Sequence, residues 1–174
     1  MISRVALAAA LVFVTACGHA NVPKREAEVV AIAPAPAFAV PHLIGRVNDL
    51  ANRLTPDEQA DIASELRDFD RKTTNEIVVL VIPSIDGHTI EDAALTTANT
   101  WKIGKREQNN GVLLLIAVQE HQVRIATGIG IEAKLTDRRA HEILESEVTP
   151  RLRRGDYAGA IRSGVRAIEH ALEE

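Results

Sequence analysis

The chain has 174 residues, of which 46% are apolar and 25% charged, with one cysteine and a formal net charge of −4. That length accommodates one ordinary globular domain plus a small extra segment, and excludes a second domain of normal size. Aromatic residues make up 3% of the chain and basic residues are scattered among acidic ones, which argues against a nucleic-acid surface, and a lone cysteine excludes an intrachain disulfide and any CxxC motif.

The N-terminus, MISRVALAAALVFVTAC, has a short head carrying Arg4, an apolar run over residues 5–14, and small residues ahead of Cys17. This is the pattern of an export signal, and its apolar run is about half of what a membrane-spanning helix needs. The tetrad Val14-Thr15-Ala16-Cys17 resembles the lipobox of bacterial lipoproteins. That resemblance implies a signal peptide over residues 1–16 and a lipidated Cys17, bearing palmitate, as the first residue of the mature protein. An ordinary cleaved signal with an incidental cysteine is the alternative. The expected location is the cell envelope, lipid-anchored and facing the periplasm; Gly18 after the cysteine favours the outer membrane over the inner in a Gram-negative cell. Residues 17–41 hold four of the seven prolines and end AIAPAPAFAVP. Pro-x-Pro spacing blocks helix and favours an extended polyproline conformation of about 3.1 Å per residue, so this stretch reads as a tether.

Residues 42–174 read as one domain whose elements run helix, helix, strand, helix, strand, strand, helix, helix. Leu43, Val47, Leu50 and Leu54 recur at helical spacing. Thr55-Pro56-Asp57-Glu58 is a capping-box pattern with proline at the first helical position, opening a helix with Ile62, Leu66 and Phe69 on its apolar face; Asn75 is the expected left-handed stop. Residues 76–83 form a β-branched run without alternation, the mark of a strand covered on both faces. Thr89 to Asp92 caps a helix with Ile90, Ala94, Ala98 and Trp101 in a stripe, and a second buried strand covers residues 112–118. Strand, helix and strand make a parallel βαβ unit, right-handed in nearly all cases. The polar stretch 119–122 turns the chain into an antiparallel strand over 123–127. Thr136 and Asp156 cap the last two helices, the second with Ile161, Val165, Ile168 and Leu172 on one face. The expected fold is α/β: a three-layer α/β/α Rossmann-like sandwich with a small mixed sheet.

Several motifs fail on context. Asp68-Phe69-Asp70 lies on a helix rather than at a strand exit, His141-Glu142 lacks the second histidine of a zinc site, and Gly128-Ile129-Gly130 lacks the third glycine of a dinucleotide fingerprint. Ser84 sits in a turn with no paired base in view, and Arg151, Arg153 and Arg154 suit a helix C-terminus.

The topology does gather one group of residues. If the strands at 76 and 112 are parallel and that at 123 runs back, then Glu76, Asn109, Asn110, Gly128, Gly130, Glu132 and Asp137 converge along one edge. Oxygen-only clusters select Ca²⁺ or Mg²⁺ over zinc. The same residues also read as turn formers, first-turn helix decoration and a solvated carboxylate.

Taken in order, VNDLANRLT, NEIVVLVIPSIDG, TIEDAALTTANTWKIG, NNGVLLLIAV, RIATGIGIEAKLTD and VTPRLRRGDYAGAIRSGV resemble the TPM domain family over nearly all of the globular part. The resemblance implies an exported or lumenal α/β/α domain that binds Ca²⁺, with phosphatase activity in some members. Its acidic edge falls on Asp49, Asn110, Glu132 and Asp137, the expected metal ligands. Two departures stand out: Asn109-Asn110-Gly111 replaces the usual Asp-Asn-Gly, and Asn75 stands where a glycine commonly precedes the first strand. The expected function is a membrane-tethered, calcium-binding interaction or accessory module with an envelope protein as partner. The alternative is a metal-assisted phosphomonoesterase, with Asp49, Glu132 and Asp137 holding the cation. No catalytic residue is assigned.

Overall fold

The computed structural model describes residues 37–174. The signal peptide, Cys17 and the tether as far as residue 36 lie outside the described residues. A four-stranded sheet of order β1-β2-β3-β4 forms the middle layer: β1 Val47–Asp49, β2 Glu76–Ile82, β3 Gly111–Ala117 and β4 Gln122–Thr127. The first three strands are parallel and β4 is antiparallel to β3. Buried Ile77, Val79, Val81, Val112, Leu114 and Ile116 point to one face, and Val78, Leu80, Ile82, Leu113, Leu115 and Ala117 to the other. The unbroken apolar runs of β2 and β3 follow from this, since both faces are roofed by helices.

Helices α1 (Pro56–Thr73), α3 (Asp137–Ile143) and α5 (Tyr157–Glu173) cover the first face. Helix α2 (Ile90–Trp101) covers the second. The result is the expected three-layer α/β/α sandwich. Caps fix the helix starts as the sequence predicts. Thr55 and Glu58 form a reciprocal capping box, and Thr89, Thr136 and Asp156 each accept from a backbone N–H in the first turn. After α3 the helix widens into a π turn (Leu144–Val148) and resumes as α4 (Thr149–Leu152). Pro150 supplies the reason: it has no N–H to continue the regular ladder.

Four details differ from the sequence reading. Residues 43–54 do not form a helix. Their apolar spacing is overridden by Gly45, Asn48, Asp49 and Asn52; only Val47 and Leu54 of the stripe are buried, and residues 47–49 pair with β2 as β1. The buried Asn48 side chain accepts from the Ile44 and Gly45 amides and donates to the Gly45 and Val79 carbonyls, which holds this short strand in place. The left-handed stop of α1 is Thr74 (φ 66°), one residue before Asn75. Residues 38–41 of the expected tether pack on the domain: Phe38 joins the α2-side core, and Trp101 Nε1 donates to the Pro41 carbonyl at 2.8 Å. Finally, β1 to β2 and β2 to β3 step the same way across the sheet, yet α1 and α2 lie on opposite faces. The two crossovers therefore have opposite hands, and one of them departs from the right-handed rule. Among the described residues no helix is long and apolar enough to cross a membrane.

Candidate functional site

Parallel β2 and β3 both begin at the pair Glu76 and Gly111, and β4 ends at Thr127 opposite Val112. The structure therefore brings Glu76, Asn109, Asn110, Gly128, Gly130 and Glu132 to one end of the sheet, as the topology predicts, while Asp137 lines a different cleft. The side chains of Glu76 and Asn110 bond inward, and Asn109 is exposed. Asn110 is buried, and its side-chain oxygen accepts from the Lys105 amide at 2.8 Å while its nitrogen donates to the Thr74 carbonyl at 2.6 Å and to Gln108 Oε1 at 3.0 Å. Glu76 accepts from the Gly104 amide at 2.8 Å and pairs with Arg46, which also bridges to Asp70 of α1 at 2.5 Å. The glycines serve close backbone approach. A Cβ on Gly111 would overlap the Ile103 carbonyl, on Gly128 the Asn109 carbonyl and on Gly130 the Gln108 carbonyl. The NNG and GIG motifs thus lock the segment 103–111 against the segment 128–130.

The four expected metal ligands do not meet. Asp49 closes β1 opposite Val81, whereas Asn110 precedes the pair Glu76 and Gly111. Six strand residues, roughly 20 Å, separate those two levels. The Asp49 carboxylate is already occupied by the amides of Ala51 (3.1 Å), Arg53 (2.7 Å) and Leu54 (2.7 Å), which shape the turn into α1. Glu132 and Asp137 are exposed and line two different clefts, Glu132 beside Gly128 and Ile129, Asp137 beside His141 and Glu145. Among the described residues, no three carboxylate, histidine or cysteine side chains are grouped to hold a metal ion. A hard cation such as Ca²⁺ needs six to eight convergent oxygens, so these four residues do not fit it as a single site.

Ser84, which the sequence leaves without a partner, donates to Glu120 Oε1 at 2.7 Å, and the Ile85 amide donates to the same oxygen at 3.1 Å. The serine hydroxyl and burial act in opposite directions on Glu120, and the hydroxyl prevails, holding its carboxyl below the ordinary range. The pair ties the end of β2 to the β3–β4 turn.

An open cleft of about 510 Å³ lies at the end of the sheet where β2 and β3 begin, lined by Thr74, Gln108, Asn110, Gly130 and Lys134, and three smaller ones follow β4. A cleft of about 210 Å³ straddles this edge strand between Glu91 of α2 on one side and Asp137 and Glu145 on the other. A second, of about 290 Å³, lies at the far end of β4 beneath Leu95 and Ile129. A third, of about 250 Å³, opens at its start, where His121, Arg153 and Tyr157 stand over an apolar floor. Sequence reasoning singled out Asn109, Gly128, Glu132 and Asp137 of its lining but missed the groove itself, because its other residues are drawn from α2, β4 and the helices after β4. The one local signal is Leu95, an aliphatic residue off the buried stripe of α2 and 60% exposed.

The TPM domain family model matches residues 47–171. The chain is 31% identical to the N-terminal domain of a P. gingivalis protein solved by NMR, with a TM-score of 0.68, over 73% of this chain and 81% of that one. A protein from the psychrophilic bacterium Bizionia argentinensis is 22% identical, with a TM-score of 0.62, over 71% of this chain and 84% of that one. The N-terminal domain of a Corynebacterium glutamicum protein is 16% identical, with a TM-score of 0.59, over 78% of this chain and 88% of that one; these last two share the fold. No curated protein matches the chain.

Proposed function

The chain belongs to the TPM domain family, and from that premise we propose that it is a membrane-tethered accessory module of the cell envelope that acts by binding a protein partner. The lipid on Cys17 is its anchor, and the Pro-rich tether gives it reach from the membrane surface. What supports binding over hydrolysis is how the family's polar motif is spent. Asn110, Glu76 and Asp49 are committed to backbone amides and neighbouring side chains, so none is presented to a substrate as a ligand or base. Exposed apolar side chains and an open sheet edge remain on the surface, the usual material of a protein interface. Calcium, which membership implies, is not required by this reading, because Asp49, Asn110, Glu132 and Asp137 do not assemble one coordination sphere.

The test uses the full chain expressed in a bacterial envelope. Palmitate labelling is expected in the wild type and absent in Cys17→Ser, and site-specific crosslinking from the domain surface is expected to trap an envelope protein only when the anchor is intact. Labelling equal in both forms overturns the anchor. Hydrolysis of an aryl phosphate that is lost in Asp137→Ala overturns the binding reading in favour of a phosphomonoesterase.

A further inference from the structure

We propose that the free edge of β4 accepts an extended segment of the partner protein as a fifth strand, with a basic side chain of that segment seated in the acidic cleft across the edge. This rests on the binding reading above and names its surface.

Backbone geometry comes first. The Gly128 amide donates to the Gly111 carbonyl at 2.8 Å, and these two residues extend the β3–β4 register in which Val112 faces Thr127. Bonded and non-bonded pairs alternate along an antiparallel ladder. Thr127, Ile125 and Val123 therefore sit in non-bonded pairs and turn their N–H and C=O groups away from β3, Val123 and Thr127 being half-buried and Ile125 3% exposed. No other strand lies beyond β4 among the described residues. Several of the usual protections of an edge are missing from it. The six pairs run without a bulge, the strand has no proline or lysine, and its one charge, Arg124, leans back to Glu91 at 3.7 Å. The opposite edge, β1, is only three residues long and cannot offer the same ladder.

The flanks then specify what kind of strand fits. The cleft over the middle of β4 is bounded by three carboxylates, Glu91, Asp137 and Glu145, against one arginine, Arg124, and one histidine, His141. It lies where the side chain of an added strand would point, and its charge favours lysine or arginine there. At the far end of β4, Leu95 and Ile129 are 60% and 79% exposed on either side of a groove floored by Leu113 and Ala126. An aliphatic residue of the incoming strand would cover them. Main-chain bonds to Val123, Ile125 and Thr127 would supply affinity, and alternate side chains in these two clefts would supply selectivity.

The experiment uses the full chain and a capped seven-residue peptide of alternating threonine and valine with one central lysine. On saturation, amide hydrogen exchange at Val123, Ile125 and Thr127 is expected to slow by about tenfold or more, while Gln122, Arg124 and Ala126, already bonded to β3, change little. N-methylation of alternate peptide amides should abolish that protection. Glu145 is exposed, so Glu145→Lys keeps the fold; it should weaken the lysine peptide by about tenfold and favour the same peptide carrying glutamate instead. Peptide binding that leaves the three amides unprotected overturns the proposal, as does an affinity indifferent to N-methylation or to Glu145→Lys. Protection that appears without peptide and grows with protein concentration also overturns it, since a second copy of the chain would then hold the edge. A partner still crosslinked in cells when the peptide test fails would leave the binding module standing and remove only this surface; no crosslink from the wild type would remove the module itself.

Discussion

The end of the sheet where β2 and β3 begin and the free edge of β4 are neighbours in the fold, but they are built on opposite principles. At the first, glycines bring two backbone segments into contact, and a buried asparagine amide and an arginine-bridged carboxylate bond inward. At the second, alternate backbone groups, two exposed aliphatic side chains and three cleft-lining carboxylates face outward. The contrast teaches that the glycines and the buried asparagine of the chain's most recognisable motifs, NNG and GIG, hold the scaffold, while the surface available to a partner takes Ile129 from them and is otherwise assembled from residues outside any motif.

The largest expected effect separates the two regions outright. Gly111→Ala places a Cβ on the Ile103 carbonyl, a backbone atom with no room to move. A loss of about 3 kcal/mol or more is expected in urea unfolding, beyond ordinary overpacking. Asn110→Ala should follow at about 2 kcal/mol, because it removes a buried amide and leaves the Lys105 amide and the Thr74 carbonyl without the partner of their part-buried bonds. A near-neutral Asn110→Ala would mean that the amide is kept for a ligand rather than for the fold, and would reverse the comparison.

Much of the first region was legible in the sequence, and the reasons are local. Capping residues act on their own first turn, so Thr55, Thr89, Thr136 and Asp156 could be placed from neighbours alone. Buried parallel strands announce themselves as apolar runs. The convergence of Glu76, Asn110 and Gly128 followed from strand direction. What was not legible depends on distant residues. A strand of three residues such as β1 is decided by Asn48 reaching Val79, not by its own composition. Asp49 resembles a ligand in sequence, yet three amides of the following turn claim it. The hand of a crossover depends on which face a helix finds, and the β4 groove joins residues 91, 124, 137 and 145 that no spacing rule connects.

A smaller effect tests whether unmet polarity is confined to the surface. Glu169 of α5 lies against α1, where its Oε1 is buried without a partner. Burial, with Glu65 and Glu173 nearby, pushes its carboxyl up to about 7. The protonated form is thus favoured by the folded state, and the contribution of Glu169 to stability is greatest below the ordinary glutamate range. It falls as pH rises towards 7, because the unfolded chain releases this proton first. Since the side chain is partly solvated, the loss is expected to be about 1 kcal/mol rather than the full value of the shift. Thermal melts between pH 4.5 and 8 should show that slope in the wild type and lose it in Glu169→Gln. A slope that survives the substitution would place the responsible group elsewhere, with the ion pairs of the locked end the next to examine.

The smallest expected effect bears hardest on the open edge. Leu95→Ser and Ile129→Ser remove side chains that are 60% and 79% exposed, so each should change unfolding free energy by no more than about 0.5 kcal/mol. Ile129 is the sharper case, because it sits between Gly128 and Gly130, both of which the scaffold needs for close approach. If Ile129 belonged to the lock, its replacement would cost as much as a core residue, about 2 kcal/mol or more. If it belongs to the surface, the serine variant should unfold at the same urea concentration as the wild type while losing surface hydrophobicity, read as weaker binding of an apolar fluorescent dye. A single residue flanked by two locked glycines would then mark the boundary between the part of this domain that must not change and the part that meets a partner.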